Sequence, residues 1–209
     1  MRVRTLHAVL LGLYLAVFVW SVIRPRELLT WSLELGPIVV IVIVLIATYK
    51  RFPLTTLTYV WIWIGAVIVT VGGHYTYEHN PLFNWLRDHY GWARNNYDRF
   101  GHFIKGIVAA LVAREVLVRK SPIRDDHPRW LAFLVLNLVL SVAAFYELLE
   151  MGSVKVGGDE TQDFLGLQGD IWDAQWDMLL ALLGAAVGLL VWSKVQDKQM
   201  LRLPISRQK

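Results

Sequence analysis

The sequence predicts an all-α fold, a polytopic transmembrane helical bundle with about six spans and one short interfacial helix. Two observations indicate this class: 56% of the 209 residues are hydrophobic, and the apolar residues form separate blocks close to membrane length. A soluble domain is about 45–50% apolar and lacks repeated blocks of roughly 20 apolar residues. No Pro/Gly/Ser-rich linker divides the chain, so residues 1–209 are predicted to form a single integral membrane domain.

Six apolar blocks are close to the length that crosses ~30 Å of hydrocarbon at ~1.5 Å per helical residue. The second block is the shortest, and it could begin earlier, near Leu28. Trp20, Trp31, Trp130 and Trp192 lie near block ends, as interfacial aromatic residues do. The predicted spans are Thr5–Ile23, Leu35–Tyr49, Leu54–Gly73, Phe100–Val118, Trp130–Leu149 and Ile171–Trp192.

Basic residues concentrate on one side of this topology. If the N-terminus, residues 49–53, residues 114–129 and the C-terminal tail share a side, that side carries 14 of the 21 Lys and Arg residues. The opposite side carries 13 of the 17 Asp and Glu residues. Because basic loops remain in the cytoplasm, both termini are predicted to be cytoplasmic. Membrane topology therefore accounts for the basic composition, and the sequence contains no nucleic-acid-binding motif that would indicate a nucleic-acid partner.

Ionisable residues gather at the predicted outer ends of the last three spans. Several are three or four positions apart, so they share one face of a helix. An Asp or Lys at the centre of a membrane helix costs roughly 2.5–3.5 kcal/mol on insertion scales, and such residues therefore indicate function by default. The set consists of Asp98, His102 and Lys105 on the fourth span, Glu147 and Glu150 at the end of the fifth, and Asp173 and Asp177 on the sixth.

Two segments on the outer side frame these residues. In the segment 74–97, Asn80 as an N-cap, Pro81 in the first turn and Gly91 beyond the end predict a short amphipathic helix on the outer leaflet. The segment 151–170 is rich in glycine and acidic residues and is predicted to be a loop.

Two stretches carry a family resemblance: Tyr97–Phe103, with the sequence YDRFGHF, and Gly166–Met178, with the sequence GLQGDIWDAQWDM. They resemble the YjdF family of bacterial inner-membrane proteins, built on a domain of unknown function, and the resemblance covers nearly the whole chain. It implies a multi-pass protein of the bacterial inner (plasma) membrane. The Asp-x-x-x-His and Asp-x-x-x-Asp starts of two spans are also weakly similar to VanZ-like membrane proteins. Neither resemblance implies a reaction.

One interpretation of the ionisable residues is a divalent metal site that holds zinc, manganese or magnesium. Such an ion could activate water against an ester or phosphoryl group of a lipid, which defines a metal-dependent hydrolase or transferase. Glu150 would then act as a general base, and Lys105 would stabilise developing negative charge. The predicted metal ligands are Asp98, His102, Glu147, Asp173 and Asp177.

Two other interpretations remain open. The same residues could form a hydrogen-bonded network that only fixes the register of the helices, with contacts worth ~0.6 kcal/mol each. Alternatively, the protein could bind a lipid headgroup or conduct a small ion or proton without being an enzyme. The bilayer is the expected partner, a lipid is a possible substrate, and the sequence leaves the oligomeric state undefined. The chain has no cysteine, which excludes disulfides and thiolate ligands.

Overall fold

In a computed structural model of the protein, residues 3–121, 127–157 and 167–203 are described. The described residues form seven α-helices and no strand, so the all-α prediction is confirmed for this part of the chain. The helices are α1 (Val3–Val22), α2 (Leu28–Thr48), α3 (Thr56–Tyr75), α4 (Pro81–Tyr90), α5 (Tyr97–Lys120), α6 (Pro128–Gly157) and α7 (Asp173–Met200).

Among the described helices, five have the length and apolar composition of membrane spans: α1, α2, α3, α6 and α7. They correspond to five of the six predicted spans. The remaining predicted span is α5, which is 24 residues long but carries charged residues near both ends. Because of these charged residues, α5 does not have the apolar composition of a typical span.

Several helices extend beyond the predicted boundaries, and the largest extensions are in α2, α6 and α7. The second begins at Leu28 rather than at Leu35, and the last continues two turns past Trp192 to Met200. The helix α6 continues to Gly157, so the first part of the predicted loop 151–170 is helical. Glycine in a helix costs only ~1 kcal/mol relative to alanine, and the apolar residues around Gly152 continue the helical pattern. Residues 158–166 of that predicted loop lie outside the described part.

The short helix α4 has the predicted boundaries. The side chain of Asn80 accepts a hydrogen bond from the N–H of Phe83 at 3.2 Å, and Pro81 occupies the first turn. Gly91 ends the helix in the left-handed conformation with φ of 66°. Glycine adopts this conformation without a steric penalty, which explains why the helix ends there.

Helix α5 lies at the centre of the bundle and packs against α3, α6 and α7. Its backbone is closest to that of α7. A Cβ atom on Gly106 would lie under 3.0 Å from the backbone of Ala181, and one on Gly184 would lie under 3.0 Å from the backbone of Phe103. Only glycine fits at these two positions, which permits the two backbones to touch.

Beside this contact, α5, α6 and α7 share an apolar core. The core is formed mainly by alanine and valine side chains, which allow the three helices to approach closely. Its buried residues are Ala110, Leu131, Val135, Val139, Ala143, Ala181 and Ala185.

At the C-terminal end of α5, which the sequence analysis predicts to be its inner end, Glu115 is completely buried in a network of hydrogen bonds. Its Oε1 accepts from the N–H of Thr55 and from Arg119, both at 2.8 Å. Its Oε2 accepts from the hydroxyls of Thr55 at 2.9 Å and Thr58 at 2.8 Å. Both oxygens are thus satisfied, as a buried carboxylate with a structural role requires.

Candidate functional site

The N-terminal ends of α2, α5 and α7 and the C-terminal end of α6 converge on one cluster of ionisable side chains, together with the segment that precedes α5. We call it the outer cluster, because the sequence analysis predicts that this end of the bundle faces outward. All seven residues predicted from the sequence lie at this end of the bundle. Lys105 and Glu147 are partly buried. The other five are buried: Asp98, His102, Glu150, Asp173 and Asp177.

Asp98, His102 and Asp177 form the tightest group in the cluster. One potential ligand atom from each of them lies within 4.8 Å of the others. The Nε2 of His102 lies 3.6 Å from Oδ1 of Asp98, and its Nδ1 lies 3.9 Å from Oε1 of Glu147. The i, i+4 spacing on α5 aligns Asp98 with His102, and the glycine contact between α5 and α7 brings Asp177 beside them.

Two carboxylate oxygens in the cluster are buried without a hydrogen-bond partner among the described residues: Oδ1 of Asp177 and Oε1 of Glu147. Asp177 itself is only 2% exposed. A buried polar atom without a partner costs free energy, so native structures rarely leave one unsatisfied. These oxygens differ from those of Glu115 at the inner end, and they make the outer cluster a candidate ligand site.

Glu34 on α2 is a member of the cluster that the sequence analysis missed. It is 4% exposed, and its Oε2 accepts hydrogen bonds from the hydroxyls of Tyr77 and Tyr146, both at 2.9 Å. The predicted span began at Leu35, which excluded Glu34 by one residue. The sequence could have indicated this residue, because Glu34 is the one ionisable residue within the apolar α2 sequence.

Lys105 lies between His102 and the two tyrosines whose hydroxyls donate to Glu34. Its Nζ is 3.4 Å from Nε2 of His102 and lies over the rings of Tyr77 and Tyr146, 5.4 Å and 4.7 Å from their centroids. Aromatic faces attract a cation, most strongly where water is excluded. The ammonium of Lys105 is therefore the central positive charge of a cluster that is rich in carboxylates.

Asp173 lies apart from the Asp98, His102 and Asp177 group. Its carboxylate pairs with the guanidinium of Arg94, which is 8% exposed and lies on the segment before α5. The sequence analysis missed Arg94, and an arginine in a loop gave no signal of this pairing. Asp173 thus begins α7 with its charge already balanced.

A second ion pair closes the outer surface of the cluster. Arg99 pairs with Asp170 at 2.5 Å and lies over the ring of Trp176. The N–H of Trp172 donates to Asp170 at 2.9 Å. This backbone hydrogen bond, together with Arg99, holds the pKa of Asp170 below its ordinary value.

The apolar helices of span length and the buried ionisable cluster define an integral membrane protein. The chain belongs to the family described as "Predicted membrane protein (DUF2238)", whose model matches residues 6–198. It is similar to the inner membrane protein YjdF of Escherichia coli (strain K12), with 41% identity over 186 residues, 89% of this chain and 88% of the relative. No solved structure matches significantly. The predicted membership of the YjdF family is confirmed.

Proposed function

We propose that this single-domain protein is a multi-pass protein of the bacterial inner membrane with six spans and both termini in the cytoplasm. The relative at 41% identity is an inner membrane protein, and the basic residues favour this orientation. In this arrangement α4 lies on the outer surface of the membrane, because its apolar side chains Leu82 and Trp85 are exposed.

The sixth span is α5. Its 24 residues extend about 36 Å at ~1.5 Å per residue, enough to cross ~30 Å of hydrocarbon. Asp98 and His102 near one end and Arg114 and Glu115 near the other are all buried against neighbouring helices. These polar side chains make the composition of α5 less apolar than that of the other spans. Because all four are buried and none faces lipid, they do not prevent α5 from crossing the bilayer.

The outer cluster binds a divalent cation through Asp98, His102 and Asp177, with Glu147 next to His102. The observation that carries this proposal is the unpartnered Oδ1 of the buried Asp177, which lies in the tightest group of potential ligands. Two carboxylates and one imidazole suit zinc with an open position, or manganese and magnesium with bound waters. Asp173, paired with Arg94, serves as an outer support in this site.

The site further acts as a metal-dependent hydrolase or transferase on the headgroup of a lipid in the outer leaflet. A bound divalent cation would lower the pKa of a water molecule and polarise a phosphoryl or ester oxygen. Glu150, one turn beyond Glu147 on α6, accepts the proton as general base. Lys105 stabilises the negative charge that develops on the substrate.

Lys105 also opposes cation binding in the resting protein. Its ammonium lies 3.4 Å from Nε2 of His102, so a divalent cation at that nitrogen must displace it. The proposal therefore requires that Lys105→Met increases metal affinity while it decreases catalysis. A purely structural network would lose stability in this variant and would gain no affinity for metal.

The metal proposal is tested by analysis of the purified protein and by titration with Zn²⁺, Mn²⁺ and Mg²⁺. We expect about one ion per chain, and we expect Asp177→Asn to weaken binding at least about tenfold, the lower end of the effect of outer-shell changes. The matched control is Asp88→Asn on α4, an exposed carboxylate paired with Arg87. Equal binding in the two variants, or no binding to a folded wild type, would contradict the proposal.

The enzymatic step is tested separately in vesicles of phosphatidylglycerol and phosphatidylethanolamine. We expect metal-dependent release of a water-soluble headgroup fragment, which Glu150→Gln abolishes without loss of the metal. If the ion binds but neither lipid is cleaved, the hydrolase assignment is wrong and the non-enzymatic alternative, a site for a headgroup or small ion, replaces it.

A further inference from the structure

A cavity lies far from the ionisable cluster, at the inner end of α1, α2 and α3. It has a volume of about 450 Å³, within the ~300–1,000 Å³ range of ligand pockets. Both α1 and α2 pack on α3. The cavity is a lateral crevice between them, and we call it the inner crevice.

Polar contacts join α1 and α2 at both ends of the helix pair. At the outer end, the indole N–H of Trp31 donates to Ser21 at 3.2 Å. At the inner end, Nδ1 of His7 and the hydroxyl of Tyr49 form a hydrogen bond of 2.9 Å. Both α1 and α2 are apolar helices of span length, so in the proposed topology the crevice between them lies within the bilayer.

The walls of the inner crevice are apolar and its mouth is basic. The exposed Arg4 and Lys50 line the mouth, at the level of the inner membrane surface. No Asp or Glu is among the described residues that line it. The rest of the wall consists of aliphatic side chains of α1, α2 and α3 together with the aromatic rings of His7, Tyr14, Tyr49, Tyr59 and Trp63.

One polar group in the wall has no partner. The Nε1–H of Trp63, which lines the crevice, is buried and donates no hydrogen bond within the described residues. Tryptophan N–H groups usually find an acceptor when they are buried.

We infer that the inner crevice binds one phospholipid of the cytoplasmic leaflet, with an acyl chain against α3 and an anionic headgroup held by Arg4 and Lys50. Charge complementarity at the mouth selects an anionic lipid, since each basic side chain near a membrane surface contributes to the attraction of anionic lipids. This site is separate from the outer cluster and does not depend on the cation proposed there.

Native mass spectrometry of the detergent-purified protein tests this inference, with phosphatidylglycerol and phosphatidylcholine as probes. We expect one tightly retained phosphatidylglycerol per chain and weaker retention of phosphatidylcholine. Arg4→Gln and Lys50→Gln should each lower phosphatidylglycerol affinity about fivefold. The control is Arg51→Gln, which removes an exposed charge beside Lys50 that does not line the crevice.

A second pair of variants tests the location of the acyl chain. Ala8→Phe on α1 fills the inner crevice and should lower phospholipid retention at least tenfold. Ala16→Phe changes an exposed position of the same helix outside the crevice and should have no effect.

Three results would overturn the inference: equal retention in Ala8→Phe and Ala16→Phe, equal affinity for the two lipids, or a dimer that dissociates in Ala8→Phe. If Ala8→Phe fails to fold, the exposed charge variants still decide the matter.

Discussion

Glu34 shows how a single carboxylate can organise the outer cluster from a helix that contributes no other ionisable residue. It accepts hydrogen bonds from Tyr77 and Tyr146, and both rings face the ammonium of Lys105. The lysine is therefore held by aromatic faces whose hydroxyls are directed to a carboxylate. Glu34 orients the groups around Lys105 without being one of the proposed metal ligands.

Replacement of Glu34 by alanine should destabilise the protein. The change leaves two tyrosine hydroxyls without their acceptor, and hydrogen bonds to a charged group contribute about 1.5–3 kcal/mol. Tyr146→Phe removes one of the two bonds and should cost less than Glu34→Ala. Reversible unfolding in mixed detergent measures both changes.

The control for Glu34→Ala is Glu78→Ala, a partly exposed carboxylate whose ion pair is with the adjacent His79. This control should change stability by less than about 0.5 kcal/mol, as surface substitutions usually do. If Glu34→Ala were as mild as Glu78→Ala, the carboxylate of Glu34 would be solvated and would not organise the site.

Sequence reasoning found those residues of the cluster whose spacing follows helical periodicity. Asp98 and His102 are four apart on one helix, and their proximity is a property of local geometry. Arg94 could not be found in this way, because its pairing with Asp173 joins a loop to a helix 79 positions away. Such a contact is set by tertiary packing, which no local pattern encodes.

At the scale of helices, the contact between α5 and α7 depends on glycine from both sides. Gly106→Ala and Gly184→Ala each place a methyl group against a backbone atom of the other helix, so the helices must separate. We expect each variant to lose about 1–3 kcal/mol, the typical cost of overpacking a core. Thermal unfolding in detergent measures the loss.

Gly188→Ala is the matched control for this pair. A Cβ atom there would meet Ile107 at 3.4 Å, which is an ordinary van der Waals distance. Its stability should remain near that of the wild type. If all three glycine variants lost stability alike, the backbone contacts at Gly106 and Gly184 would not explain the losses. Helix propensity would not explain them either, because alanine favours a helix more than glycine does.

The helices themselves were predictable to different degrees. Their number and type follow from apolar periodicity and from caps such as Asn80. The ends of α6 and α7 were not predicted, because both helices continue beyond the apolar block into polar residues. The apolar block reports the hydrophobic length of a span, whereas the helix ends where its backbone loses the next hydrogen-bond partner.

At the scale of the whole molecule, the proposed topology puts the two ends of α5 on opposite sides of the membrane. The chain has no cysteine, so single cysteines can report the two sides without background. Asp88→Cys on α4 should react with a membrane-impermeant maleimide in intact cells. His127→Cys, after α5, should react only once the membrane is opened. Both positions are exposed on the protein surface, so the side of the membrane on which each lies decides whether the reagent reaches it.

Arg51→Cys, between α2 and α3, provides the control for this labelling, because it is exposed and lies on the inner side irrespective of α5. Labelling of both Asp88→Cys and His127→Cys from outside would mean that α5 does not cross the membrane. The chain would then have five spans, and the C-terminus would lie on the opposite side.

The main-chain contact at Gly106 and Gly184 has a consequence for ion selectivity at the proposed cation site. Where side chains separate two helices, a change of side-chain rotamer can alter the distance between the helices. Where the two backbones touch, the distance changes only if a whole helix moves. The carboxylates of Asp98 and Asp177 project from these helices, so their spacing is nearly fixed. Ca²⁺ prefers 6–8 oxygen ligands at about 2.3–2.6 Å and would need a wider opening, whereas smaller ions with shorter bonds would not. The rigid junction would act as a size filter.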